Sequence, residues 1–292
     1  MTASSAPAPE PKLRLGGMAL RNGLLVHGPT HWAASIRDEN GQIAVASGPK
    51  PRLRGADRIP GVRGLARLAE AFAVLPLVKR ALPTARMPFE DAAVLGTMGA
   101  AALAGALIRR RGAGRVVPEA AAAALGLAPA LLALRSGELA AYHGVEHKSI
   151  AAYEQDAPDP AETSKEHERC GSHLVAPMIA SNVAGAAVLR RLVASPGPLA
   201  GGAVALAATG AAVEVFVWCE RHADTATARA IRRPGYELQR AVGTREPTPE
   251  QLQVGRAALD EILRLEGAAG PAAALAKSNA GGDSLEPRAS HR

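Results

Sequence analysis

The sequence predicts a mainly α, helical integral membrane protein with about four spans and a small N-terminal β element. Four apolar blocks fill the middle of the 292-residue chain, and a glycine-punctuated, short-period stretch precedes them. The third observation is compositional. Hydrophobic residues make up 48% of the chain and aromatics only 3%, so Ala, Leu and Val carry the apolar content. Mean hydropathy is only +0.02. That value averages very apolar blocks with Arg-rich ones, so the local distribution decides.

Residues 1–12 are rich in Ala, Pro and Ser and read as a disordered tail. They hold no apolar signal core, so no cleavable signal peptide is expected. Residues 13–48 read as a small β module. Trp32 to Arg37 and Gln42 to Ala46 flank Asp38-Glu39-Asn40-Gly41, and Asn-Gly between two such runs is a hairpin signal. Residues 49–90 read as a basic linker followed by an interfacial helix. That helix, Gly61 to Leu82, mixes Leu, Ala, Phe and Val with Arg63, Arg67, Glu70 and Lys79, and Pro76 interrupts it. An amphipathic helix on a membrane surface fits this mixture; a surface helix of a soluble domain is the alternative.

The apolar blocks run Asp91 to Ile108, Glu119 to Leu134, Leu174 to Val193 and Leu199 to Cys219. A spanning helix needs about 20 apolar residues. The last two blocks qualify, while the first two are short and Ala-rich. The rival is a buried Ala-rich soluble bundle. With a cytosolic N-terminus, four spans put the His/Glu/Cys loop 135–173 and everything after 220 in the cytosol. The expected location is the inner (plasma) membrane, multi-pass, with both termini cytosolic. Asp224 is a candidate helix cap. Thr248 can cap a helix starting at Pro249-Glu250, with Leu252, Val254, Leu259, Ile262 and Leu263 on its apolar face. Residues 223–266 thus form a cytosolic helical segment, and 267–292 read as a disordered tail.

The net charge is +7, with basic residues crowding the N-terminal third. No aromatic platform interleaves them, which disfavours nucleic acid and favours membrane lipids as the partner. The two cysteines, Cys170 and Cys219, form no disulfide framework and suit a reducing compartment or a metal site.

The chemistry-bearing run is Tyr142-His143-Gly144-Val145-Glu146-His147-Lys148. On a helix its two imidazoles, four apart, share one face and can reach one metal ion. Glu146 sits beside them as a candidate catalytic base. The His-x-x-Glu-His spacing is that of the inverted-motif zinc peptidases. Those are soluble α/β proteins, and Gly144 weakens the helix the motif needs. The same loop holds His167-Glu168-Arg169-Cys170-Gly171-Ser172-His173. His167 and Cys170 are candidate ligands; solvated histidines and an inert buried thiol are the alternatives. Glu214, inside the fourth block, is by default functional and could supply the carboxylate of a two-His, one-Glu site. Its alternative is a pairing near the helix end with Arg221.

Together these residues resemble the YqhQ-like family of bacterial integral membrane proteins, over roughly residues 14–265. The resemblance rests on Gly16-Gly17 to Gly28-Pro29, Tyr142 to Lys148, His167 to Gly171, Glu214, and Pro234-Gly235 to Glu246-Pro247. It implies a membrane location and a metal-dependent enzyme with no assigned reaction. Relatives carry Gln where this chain has Met18, and Glu where it has Asn22, so no polar role is carried over to these two. Glu168 stands where Pro is usual.

The sequence-level expectation is therefore a metal-dependent membrane hydrolase at the cytosolic face, with a divalent cofactor, zinc first. His143, His147, Glu214, Cys170 and His167 are its candidate ligands, and its substrate is unknown. The rivals are a non-catalytic adaptor with a structural metal, and a small transporter that would work as a homo-oligomer.

Overall fold

The computed structural model describes residues 12–55, 59, 61–112, 115–193 and 197–268. The two expected tails lie almost wholly outside these residues, and so do parts of the 49–60 linker.

The chain opens with β1 (Gly16–Leu20), β2 (Gly23–His27), β3 (His31–Arg37) and β4 (Ile43–Pro49), an antiparallel meander in sequence order. Leu20 pairs with Gly23 across Arg21-Asn22, and Arg37 pairs with Ile43 across the expected Asp38–Gly41 turn. Asp38 holds that turn by accepting the Asn40 and Gln42 amides at 2.9 and 2.8 Å. Side chains alternate between two buried faces. Leu24, Val26 and Ala33 point to one core, and Leu20, Leu25, Trp32, Ala34 and Ile36 to the other.

Helix α1 (Val62–Ala81) covers the second face with Val74, Leu75 and Val78. Pro76 lies inside α1 without ending it. The first face packs on α5 (Glu138–Gln155) and α9 (Pro249–Glu266). Between them in sequence come α2 (Ala92–Gly112), α3 (Val116–Leu125), α4 (Ala128–Arg135), α6 (Val175–Leu192), α7 (Pro198–Arg221) and α8 (Ala226–Leu238).

Among the described residues, four stretches are long and apolar enough to cross a membrane: Ala92–Arg111, Val116–Arg135, Gly171–Leu192 and Leu199–Arg221. They match the four expected blocks. The second is divided into α3 and α4 at Gly126-Leu127. Only 11–22% of each stretch is buried within the protein, so most of this apolar surface faces outward, as a multi-pass membrane protein requires. Arg109 and Glu119 pair at 3.1 Å where α2 turns into α3, covering two charges at that end.

Two local expectations are corrected. The stretch 135–173 contains the most buried helix, α5, in which every residue from Leu139 to Tyr153 except His143 is buried. Burial on all sides erases the amphipathic period that would have announced it. The cap of α8 is Thr225, whose hydroxyl accepts the Ala228 amide, and not Asp224. Helix α8 runs through Pro234 and ends in a π-helical turn, Gln239–Gly243. The α9 cap is as expected: Thr248 and Gln251 form a reciprocal capping box.

Gly144 is what lets α5 sit where it does. A Cβ there would lie 2.3 Å from the carbonyl oxygen of Arg245, a backbone atom that cannot swing away. Gly144→Ala is expected to lower stability by about 1–3 kcal/mol, read as a fall in the thermal midpoint of detergent-purified protein. An unchanged midpoint would show that the segment around Arg245 can shift.

Candidate metal centre

Helix α5 presents His143, Glu146 and His147 on one side to a cavity of about 190 Å³. The cavity is closed by β1, by the end of β2 and by the segment that leads into α6. Cys170 enters from that segment. One ligand atom from each of His143, His147 and Cys170 lies within 4.8 Å of the others. The two imidazole centroids are 4.3 Å apart, and Cys170 Sγ lies 3.4 Å from His143 Nε2.

The tautomers follow from the partners. His143 Nδ1 lies 2.8 Å from the Gly243 carbonyl oxygen, and His147 Nδ1 lies 2.6 Å from the Lys165 carbonyl oxygen. A carbonyl only accepts, so each Nδ1 carries a proton, and in a neutral ring the Nε2 then offers the lone pair. His147 Nε2 is buried without a hydrogen-bond partner among the described residues, which is costly unless something else occupies it. An Nδ1–H held by a backbone carbonyl is how metal-ligating histidines are commonly oriented.

Burial sets the protonation of the group. It pushes His147 down to about 2, helped by neighbouring His143, so the ring stays neutral. It raises the Glu146 carboxyl above the usual carboxylate range against the pull of His143 and His167. It pushes the Cys170 thiol up to about 11, so a thiolate there needs a cation beside it. Glu146 reaches to 3.9 Å from His143 Nε2. A Cβ on Gly17 would meet its Oε1 at 2.6 Å, so glycine in β1 leaves room for this carboxyl.

Two expected ligands fall outside the triad. His167 stands near His147, with ring centroids 5.6 Å apart, but both its nitrogens are engaged. Nε2 pairs with Glu154 at 3.1 Å, and Nδ1 accepts the Arg169 amide at 3.2 Å. Glu214 accepts the Gly61 amide at 3.1 Å and Arg63 Nε at 2.9 Å. Its carboxylate is thus pinned to the start of α1, away from the imidazoles. Lys148 also turns from the cavity. It pairs with Glu246 at 2.8 Å and donates to the Thr163 carbonyl at 2.6 Å.

Sequence reasoning missed the groups that hold the triad. Gln239 is fully buried. Its Oε1 accepts the His167 amide at 2.8 Å, and its Nε2 donates to Ser172 Oγ at 2.8 Å and to His173 Nε2 at 3.2 Å. It therefore grips the Cys170 segment on both sides. The same π turn supplies the Gly243 carbonyl to His143. Backbone acceptors leave no trace in a sequence, and a lone Gln carries no motif.

Residues 138–265 match the family model described as Protein of unknown function (DUF1385). The chain is also 31% identical over 132 residues to the Uncharacterized protein YqhQ of Bacillus subtilis (strain 168). These matches support a YqhQ-like family. The alignment with YqhQ covers 43% of this chain and 40% of that protein, less than half of each. No solved structure matches the chain. The triad, Glu146 and Gln239 all lie inside the stretch matched by the family model, whereas the sheet lies outside it.

Gln239→Ala should strip the partners from the His167 amide and Ser172, at about 1–3 kcal/mol for each buried group left unpaired. Iodoacetamide should then modify Cys170 faster than in the wild type, with sites resolved by mass spectrometry. An equal rate would show that other contacts hold the segment. A second expectation concerns His27, at the cavity wall. Burial, reinforced by Lys50, pushes it down to about 4, whereas an unfolded His titrates near 6.5. Between those values the unfolded chain binds a proton that the folded chain refuses. This contribution is therefore fully present above pH 6.5 and is lost as pH falls towards 4. His27→Gln should make the fall in thermal midpoint over that window shallower; an identical slope would remove His27 from the account.

Proposed function

We propose that this protein is a metal-dependent membrane enzyme, a hydrolase working at the cytosolic membrane face. The observation that carries the reading is the pair of imidazoles whose Nδ1–H groups are tied to backbone carbonyls, with the Nε2 atoms left converging beside a thiol. The donor set fits a divalent ion, zinc first. Two imidazoles and a thiolate are a borderline-soft set with three protein ligands, and catalytic zinc sites keep the fourth position open.

His143, His147 and Cys170 would hold the ion. When bound, it would supply Lewis acidity and a water acidified towards neutral pH. Glu146 would take up the proton of the attacking water and return it to the leaving group, a task that suits a carboxyl whose proton affinity burial has raised. Arg169 and His167 at the cavity wall would orient a substrate entering from the membrane boundary, because the span Gly171–Leu192 begins one residue after Cys170. A buried, small cavity also favours a second reading, an adaptor with a structural metal.

Elemental analysis of the detergent-purified full chain tests both. The expected result is close to one divalent ion per chain. His143→Ala and His147→Ala should lose it, and Glu146→Gln should retain it. Cobalt loading then separates the readings: a visible spectrum that shifts with azide indicates an open ligand position and catalysis, and an invariant one indicates the structural role. Well-folded wild type that takes up no ion after incubation with zinc, cobalt or manganese would sink the metal reading altogether.

A further inference from the structure

Helix α1 has an apolar side that none of the described residues covers. Between Val62 and Leu77 the exposed residues are Val62, Arg67, Leu68, Ala69, Phe72, Ala73, Pro76 and Leu77. Only Arg67 among them is charged; at about 100° per residue the other seven fan over about 180°, from Leu68 through Phe72 to Leu77, and Arg67 projects about 170° from the middle of that fan. The remaining seven form one stripe over more than four turns. Phe72 is 50% exposed and Val62 43%, which is unusual for a run of large apolar side chains facing water.

Two anchors orient this stripe. The inner side of α1, through Val74, Leu75 and Val78, is fixed under the sheet. Its first turn is fixed to α7, where Gly64 lies against Val213 and Arg63 pairs with Glu214. The depth of that pairing can be read from the α6–α7 hairpin. Thr209 touches Met178, and Gly185 faces Val204. This antiparallel register puts Glu214 level with the first residues of the span Gly171–Leu192. The helix therefore starts at the boundary of the apolar layer. Its stripe continues the outward-facing apolar surface of α7, where Leu206 is 63% exposed. Basic residues outnumber acidic ones on the helix: Arg63, Arg67, Lys79 and Arg80 against Glu70. That balance suits anionic headgroups.

We propose that α1 lies in the headgroup region of the bilayer crossed by α6 and α7, with Val62, Leu68, Phe72 and Leu77 buried among lipid chains and the sheet riding on its opposite side. The occupant of the stripe is lipid, and the device is a monotopic helix that sets the height of the β module, and with it the cavity wall formed by β1 and β2, above the membrane. The inference does not depend on a metal or on catalysis.

The test uses the full chain reconstituted in vesicles of phosphatidylethanolamine and phosphatidylglycerol. The photoreactive residue p-benzoylphenylalanine replaces Leu68, Phe72 or Leu77, with Arg67 as the off-stripe position. These positions are exposed, so folding is not at stake. After irradiation, mass spectrometry should find phospholipid adducts at 68, 72 and 77 at several times the yield at 67. Adducts to a second copy of the chain would overturn the proposal in favour of a self-association face. Recovery of the unreacted ketone would show a water-facing stripe and overturn it too, as would equal lipid yields at 67 and 72.

Discussion

Burial of α5 is the constraint on which the rest of the structure depends. A helix enclosed on nearly every side satisfies its backbone internally, but its polar side chains must find partners within the protein. Helix α5 carries Glu146, His147, Lys148 and Ser149 among its buried residues. The chain that follows it answers two of them in turn. The Lys165 carbonyl takes the His147 proton, and the Thr163 and Ala161 carbonyls take Lys148. The segment from Pro160 to Cys170 is thus shaped by the needs of α5, and Cys170 reaches the imidazoles because that path brings it there.

The same desolvation decides the chemistry available. At the cavity, burial biases His147 and His167 to the unprotonated ring and leaves Cys170 and Glu146 holding their protons. Such a cluster is poor at binding anions by itself. A divalent cation would reverse the bias of the thiol and the carboxyl and reinforce that of the imidazoles, because it stabilises the thiolate and occupies the free lone pairs. On the reading proposed here, the empty state and the loaded state are therefore both free of net charge conflict, which is a reasonable way to bury a metal site beside an apolar layer.

What could be read from the sequence was local. The hairpin about Asn40-Gly41, the α9 cap at Thr248 and the four apolar blocks each declare themselves within a few residues, and the structure carries all of them. The His-x-x-Glu-His spacing announced a shared helical face in the same way. The roles that depended on partners far away in sequence could not be read. Glu214 looked like a lone acid inside an apolar block, but Arg63, 151 residues earlier, neutralises it. His167 looked like a ligand, yet Glu154 and the Arg169 amide occupy its ring. The π turn at Gln239 follows a Pro-Gly pair, and no propensity rule favours that geometry there.

The candidate centre is also not the property of the motif-bearing stretch alone. Residues 138–265 supply the imidazoles, the thiol, Glu146 and the π turn. The wall against Glu146 is Gly17, and Leu15, Gly16 and His27 complete the enclosure, all from the N-terminal sheet. The sheet in turn is held to the C-terminal helix by Glu266, which accepts the Thr30 and His31 amides at 2.8 Å each. Without that sheet, Glu146 would face water, its proton affinity would fall towards that of an ordinary carboxylate, and the cavity would open. The N-terminal module thus shields the cavity from water, while the two apolar groups of helices, α2–α4 and α6–α7, flank α5 in the sequence.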